Sequence, residues 1–118
     1  MPPQPHWMEV EMVGDVAVVR FTQRSILGED AIVAIGQQLF ELAESGTASK
    51  FVLNFARVES MTTAMMGKLL AIYKRVDAEG GRLALCRIGP FLAEIFKILR
   101  LPRQVSVFQE EQEALQSF

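Results

Sequence analysis

The stretch that decides the fold runs from residue 51 to residue 70 and reads FVLNFARVESMTTAMMGKLL. It begins with a short apolar run, and together with Lys50 this run predicts a strand over Lys50–Phe55. Apolar residues then recur every three or four positions, which predicts a helix over Thr62–Ala78 with Thr62 as its N-cap. The buried side of this helix is predicted to carry Met66, Leu69, Leu70 and Tyr73. A strand followed closely by a helix is the repeating unit of α/β folds.

The residues before this stretch predict a hairpin and a helix. In Trp7–Val13, apolar residues alternate with glutamates, as in a half-buried strand. Val16–Phe21 is apolar almost throughout, so we expect a strand covered on both faces. The turn between them is short enough for an antiparallel hairpin. Thr22–Gly28 is predicted to be a loop, and a helical period that starts at Glu29 ends at Gly46.

The residues after the stretch predict one more strand and helix, then a smaller closing pair. Arg82–Ile88 has the apolar character of a strand. Pro90 occupies a favoured first position for a third helix. Val105–Phe108 is predicted as a short edge strand. Gln109–Gln116 is predicted as a polar last helix, anchored by Leu115.

The order of these elements predicts an α/β fold with one domain over residues 7–118. Strands that alternate with single helices form a largely parallel sheet with right-handed crossovers. We therefore expect a mixed, mostly parallel sheet of four to five strands, with an antiparallel hairpin at its start and helices packed on it. The proline-rich residues 1–6 are predicted to be a flexible tail.

Composition excludes several classes of function. The 118 residues carry a net charge of −2 with no block of lysine and arginine, so we expect no nucleic acid partner. One histidine, His6, and one cysteine, Cys86, cannot form a clustered metal site, and no cofactor is expected. Cys86 lies in an apolar strand and is interpreted as a buried structural thiol. The glycine-rich motifs of nucleotide-binding loops are absent, so we do not expect an enzyme.

The expected compartment is the cytoplasm. The first residues lack the basic segment and apolar run of a signal peptide. No apolar run approaches the roughly 20 residues that span a bilayer. A lone cysteine is also compatible with a reducing environment.

The junction between strand and helix carries an unusual concentration of hydroxyl groups. Thr62 is placed to cap the helix, which leaves Thr63 in the first turn. A phosphate on Thr63 would lie at a helix N-terminus, where unpaired N–H groups and the helix dipole favour an anion. The added charge of about −2 would change the surface that a partner meets without unfolding the domain. A helix cap with no further role is the alternative interpretation.

Three segments together resemble the STAS domain family, the sulfate-transporter and anti-sigma-factor-antagonist modules. Residues 51–70 resemble the central motif, in which a strand and short loop lead to Asp-Ser-Ser-Gly at the start of a helix. Ala78–Leu85 resembles the segment in which two glycines precede a strand. Ile98–Leu101, followed by Val107 and Phe108, resembles the closing helix and strand. The resemblance covers about residues 8–116.

This resemblance implies a regulatory module that binds a protein. Such modules bind a serine/threonine kinase that also acts as an anti-sigma factor, and phosphorylation at the helix start releases the complex. By position, the modified hydroxyl is that of Thr63, with Thr62 as the second choice. The resemblance also implies a monomer or a weak homodimer. The surface expected to contact the partner consists of Arg24, Ser25, Ser60, Met61, Thr62, Thr63, Met65 and Met66.

The motif departs from the family at several positions. Thr62 and Asn54 stand where the family has aspartate, and Gly28 stands where the preceding loop often has one. Thr63 replaces a serine and Met65 replaces a glycine. Loss of the acidic neighbours favours an alternative, a STAS scaffold or transport-accessory module that is not phosphorylated. A small-molecule or nucleotide-binding protein, or an enzyme, is a third alternative, for which no loop in the sequence has the needed glycines or charges.

Overall fold

The computed structural model describes residues 7–99 and 105–118. Strands and helices alternate along most of this chain. In order they are β1 (Met8–Val13), β2 (Val16–Phe21), β3 (Ser25–Ile26), α1 (Glu29–Glu44), β4 (Lys50–Asn54), β5 (Ser60–Met61), α2 (Thr63–Ala78), β6 (Arg82–Cys86), α3 (Pro90–Leu99), β7 (Ser106–Phe108) and α4 (Glu111–Gln116). The predicted α/β class and the order of the main elements are confirmed.

Five strands form one mixed sheet in the order β1-β2-β4-β6-β7. β1 pairs antiparallel with β2, and every other pair is parallel. After β2, each crossover advances one position in the same direction across the sheet. Right-handed crossovers in one direction place their helices on the same face. α1, α2 and α3 therefore cover one face of the sheet, and the predicted hairpin and parallel strands are confirmed.

The larger core lies between the sheet and these three helices. Its strand residues alternate in β2, where Ala17, Val19 and Phe21 face the helices. The ring of Phe55, just after β4, packs 5.0 Å from Phe21 and 6.0 Å from Phe96 of α3, measured between centroids. These aromatic contacts join α3 to the strand ends beneath it.

The second face of the sheet is covered by α4. Val16 and Val18 of β2 lie in a smaller apolar cluster, with Ala114 of α4 fully buried against it. β2 is therefore covered on both faces, as its apolar sequence predicts. Leu115, the predicted anchor of α4, is only half-buried, and the deeper contact is made by its neighbour Ala114.

The start of β6 approaches the start of β4 very closely. The Gly81 N–H donates to the Val76 carbonyl over 2.9 Å, and the Arg82 N–H donates to the Ser49 carbonyl over 3.0 Å. A Cβ atom on Gly81 would overlap the carbonyl oxygen of Ser49. The glycine at this position is therefore required by packing of the backbone.

Two predicted segments differ from the structure for local reasons. The strand predicted over Arg82–Ile88 ends at Cys86, because Arg87 has a φ of 59° in the left-handed region, which interrupts an extended chain. The predicted loop Thr22–Gly28 contains the two-residue strand β3. The predicted tail, residues 1–6, lies outside the described residues.

Candidate functional site

The N-terminus of α2 is held by its own cap. The Thr62 backbone is extended, and its hydroxyl oxygen accepts a hydrogen bond from the Met65 N–H over 3.1 Å. The Thr62 carbonyl accepts the first helical bond, from the Met66 N–H over 3.2 Å. This geometry confirms Thr62 as the N-cap. Thr62 is half-buried with its hydroxyl engaged in the cap, whereas the next residue, Thr63, is exposed.

A two-stranded parallel sheet fixes the loop before α1 against this helix start. Ser25 and Ile26 of β3 pair with Ser60 and Met61 of β5. The Ser60 hydroxyl donates to the Ser25 hydroxyl over 3.0 Å, and the Thr62 N–H donates to the Ile26 carbonyl over 3.3 Å. Two segments distant in sequence thus form one surface.

Arg24 adds a charged contact at the rim of this small sheet. Its carbonyl accepts hydrogen bonds from the N–H groups of Glu59 (2.7 Å) and Ser60 (3.1 Å). Its guanidinium forms a 2.8 Å ion pair with the Glu59 carboxylate, which raises the pKa of Arg24. Both side chains are largely exposed, so the pair shapes the surface more than it stabilises the fold.

The structure divides the predicted contact residues into two groups. Arg24, Ser25 and Thr63 are exposed, and Ser60 and Thr62 are half-buried beside them. These five residues form one continuous surface, here called the threonine face. Leu27, 55% exposed, extends it, since Leu27 follows the residue that accepts the Thr62 N–H bond.

Three predicted contact residues lie under this surface. Met61, Met65 and Met66 are 5%, 0% and 3% exposed and belong to the core between sheet and helices. The prediction that they contact a partner is wrong, because the period of α2 and the pairing of β5 direct them inward. Their role is to support the threonine face from below.

Asn54 has a structural role that the sequence did not indicate. Its side chain donates to Glu111 over 2.7 Å and accepts the Ala56 N–H over 2.8 Å. Glu111 also accepts two hydrogen bonds from the Arg20 guanidinium, at 2.9 and 2.5 Å. These bonds, chiefly that with Arg20, lower the pKa of Glu111. The network fastens α4 to the carboxyl ends of β2 and β4.

Groups suited to metal or nucleophilic chemistry are not clustered in the part of the chain described. Residues 7–99 and 105–118 contain no group of three or more His, Cys, Asp or Glu side chains that could hold a metal ion. Cys86 is buried, and burial raises the pKa of its thiol to about 11. A thiol with so high a pKa is a poor nucleophile at neutral pH. Within the same residues, no helix is long and apolar enough to cross a membrane.

Comparison with known proteins identifies a family and a fold. The sequence profile of the STAS domain matches residues 8–114. The phosphorylated Bacillus cell fate determinant SpoIIAA is similar at 22% identity and a TM-score of 0.75, over 93% of this chain and 97% of that one. An anti-sigma-factor antagonist (STAS) domain protein from Planctomyces limnophilus has 20% identity and a TM-score of 0.80, over 93% and 95%. An anti-sigma factor antagonist from Mycobacterium paratuberculosis has 19% identity and a TM-score of 0.79, over 93% and 91%. At these identities the likeness establishes the fold.

Proposed function

The chain belongs to the STAS domain family, and from that premise we propose that it is a regulatory protein-binding module of the anti-sigma-factor-antagonist type. Its partner is a serine/threonine kinase that also acts as an anti-sigma factor. The unmodified threonine face binds this kinase, and phosphorylation of Thr63 releases it. The observation that carries the proposal is the position of Thr63: its side chain is exposed in the first turn of α2, on a surface built from two distant segments.

The environment of Thr63 supports its use as the modified residue. The Met65 N–H is engaged by the Thr62 hydroxyl, whereas the N–H groups that precede it in the first turn of α2 have no partner within the helix. They and the helix dipole favour a phosphate on Thr63. The first turn of α2 contains no acidic residue, so a phosphate there meets no adjacent negative charge within that turn. Modification of Thr62 instead would remove the helix cap.

The partner would sense the phosphate through lost packing and added charge. The exposed Leu27 and the small side chains at the start of α2 offer a surface that a partner can approach closely. A phosphate of charge about −2 beside them interrupts that contact and opposes any acidic group on the partner. Arg24, already paired with Glu59, remains at the rim.

Phosphosite mapping of the protein isolated from its native cells tests the first step. One phosphate on Thr63 under some growth or stress condition is expected. The affinity of the co-purifying kinase is then measured for the Thr63→Ala and Thr63→Glu variants of the domain. We expect Thr63→Glu to bind at least tenfold more weakly than Thr63→Ala. Gln112→Glu, on the helix that covers the opposite face of the sheet, adds the same charge as a control and is expected to leave affinity unchanged.

A constitutive STAS scaffold or transport-accessory module is the second candidate. The observation that favours it is the loss of the acidic motif positions: Asn54 is committed to the loop and to α4, and Thr62 is committed to the cap. Equal affinities of the Thr63→Ala and Thr63→Glu variants for the partner, together with no phosphate on Thr62 or Thr63 in the native protein, would favour this function over the phosphorylation switch.

A further inference from the structure

The two edges of the main sheet are protected to different degrees. β1 forms one edge and carries two exposed glutamates, Glu9 and Glu11. Charged side chains on an edge strand discourage pairing with another chain. β7 forms the other edge and contains Ser106, Val107 and Phe108, none of them charged. Among the described residues, no strand pairs with the outer side of β7. Within residues 7–99 and 105–118, β7 therefore presents backbone hydrogen-bonding groups that no strand pairs with, and its own three residues carry no charge.

A wide groove adjoins the last two residues of β7, Val107 and Phe108. It has a volume of about 1090 Å³ and is bounded by the start of α3, by β7 and by the loops that end β4 and β6. Val107 is paired with Leu85 and so points to the same side of the sheet as α3, yet it is 55% exposed. Phe91, across the groove, is 60% exposed. We call this feature the β7 groove.

Among the described residues, the charges around the β7 groove leave one cation without a partner. The Arg87 guanidinium forms a 2.9 Å ion pair with Glu110, and Glu59 is paired with Arg24. Lys97 also lines the groove, and within residues 7–99 and 105–118 no carboxylate pairs with it. A ligand that brings one carboxylate would therefore complement the groove.

We propose that the β7 groove binds an extended segment of a partner protein as an added strand. The segment pairs its backbone with β7, places an apolar side chain against Val107 and Phe91, and sets an acidic side chain beside Lys97. Added strands obtain affinity from backbone hydrogen bonds and specificity from pockets for alternate side chains. About four extended residues span roughly 13 Å, which suits a short edge such as β7. This surface adjoins the threonine face at the Glu59–Arg24 pair, but its pairing strand β7 is not part of that face, and the proposal goes beyond the proposed kinase contact.

The proposal is tested with a displayed library of random eight-residue peptides that have blocked termini. The domain is used as bait, and the Val107→Lys variant, which places a charge on the edge, is used for counter-selection. Enriched peptides are expected to carry apolar residues at every second position together with an aspartate or glutamate. They should bind the wild type at least tenfold more tightly than Val107→Lys, and Lys97→Glu should weaken binding severalfold.

Matched variants exclude indirect explanations. Val13→Lys places the same charge on the other edge and is expected to leave peptide affinity unchanged, as is Thr63→Glu, which alters only the threonine face. If Val107→Lys unfolds, Phe91→Ser replaces it, since Phe91 is an exposed side chain. Proline in place of a central peptide residue should reduce affinity at least tenfold, because it removes a pairing N–H.

Three results would overturn the proposal. One is the absence of any peptide that prefers the wild type to Val107→Lys. Another is enrichment of apolar residues spaced by three or four, which would mean that a helix occupies the groove. The third is binding that survives the proline substitution, which would mean that side chains alone dock there.

Discussion

The two ends of the parallel strands are built differently. At the amino end, backbone groups contact one another directly: Ser49 and Lys50 donate their N–H groups to the Asp15 carbonyl at 3.1 and 3.4 Å, and Gly81 passes against Ser49. At the carboxyl end, side chains such as those of Thr62 and Asn54 add fastenings to the backbone bonds, as with the Thr62 hydroxyl that accepts from the Met65 N–H. Backbone contacts tolerate almost no substitution, whereas side-chain caps can be exchanged at moderate cost. The carboxyl end, where side-chain contacts tolerate substitution, is also the end that carries the threonine face and the β7 groove.

The largest expected effect falls on the backbone-packed amino end. Gly81→Ala should lower the free energy of unfolding by about 3 kcal/mol, because its methyl group meets the Ser49 carbonyl and the chain must shift. Chemical denaturation monitored by circular dichroism measures the loss.

The matched glycine-to-alanine change at the carboxyl end is expected to stabilise the fold. Gly67 lies within α2, and apart from its two chain neighbours and the backbone of its own helix, no described atom lies within 4 Å of the position that an alanine methyl group would take. Gly67→Ala should therefore raise the free energy of unfolding by about 0.5–1 kcal/mol, since alanine favours the helix over glycine. The same denaturation measurement applies, and equal effects of the two substitutions would remove the distinction between the ends.

A loss smaller than that of Gly81→Ala is expected from the network that fastens α4. Glu111→Gln weakens charge-assisted bonds to Arg20 and should cost about 1–2 kcal/mol at pH 7. Because the folded pKa of Glu111 is lowered from 4.5, its contribution is full above that value and is lost as the pH falls through the folded pKa. The stability difference between wild type and variant should therefore shrink below pH 4.5 in acid titrations.

Glu41→Gln provides the control for this titration, since Glu41 lies exposed on α1, away from the network. Its difference from the wild type should be small at pH 7, because the substitution removes the charge of an exposed side chain away from the network. A Glu111→Gln difference that shows no decline as the pH falls through the acid range would mean that the network does not depend on the carboxylate.

The smallest effect is expected at Thr63, and this separates the two adjacent threonines. Thr62→Ala removes the cap and should cost about 1 kcal/mol, while Thr62→Ser should retain most of it. Thr63→Ala should change stability by less than about 0.5 kcal/mol, because its side chain is exposed. Thermal denaturation of the three variants makes the measurement. A larger loss for Thr63→Ala than for Thr62→Ala would mean that Thr63, and not Thr62, caps the helix.

The main fold was predictable because its elements are long enough to show a period. The alternation in β1 and the spacing in α1 and α2 identify both the type of element and its buried side. β3 and β5 have two residues each, which is too few for any period, so the small sheet that unites the threonine face could not be foreseen.

The candidate site was predictable in position and only partly in composition. The hydroxyl-rich junction indicates Thr62 and Thr63. Met65 and Met66 adjoin surface residues in the sequence, whereas the helix turns both inward. The β7 groove was missed altogether, since its walls come from loops that lie far apart in the sequence.

The small sheet of β3 and β5 also has a consequence for the folding pathway. Its pairing joins residues 35 positions apart for only a few hydrogen bonds, so the entropy of closing that loop is recovered only once the β2–β4 pairing and α1 have already brought the segments close. We expect this pairing to form after the transition state, with φ-values near zero for Ser25 and Ser60. A chain that is still folding therefore lacks the threonine face, and only completed domains compete for a partner.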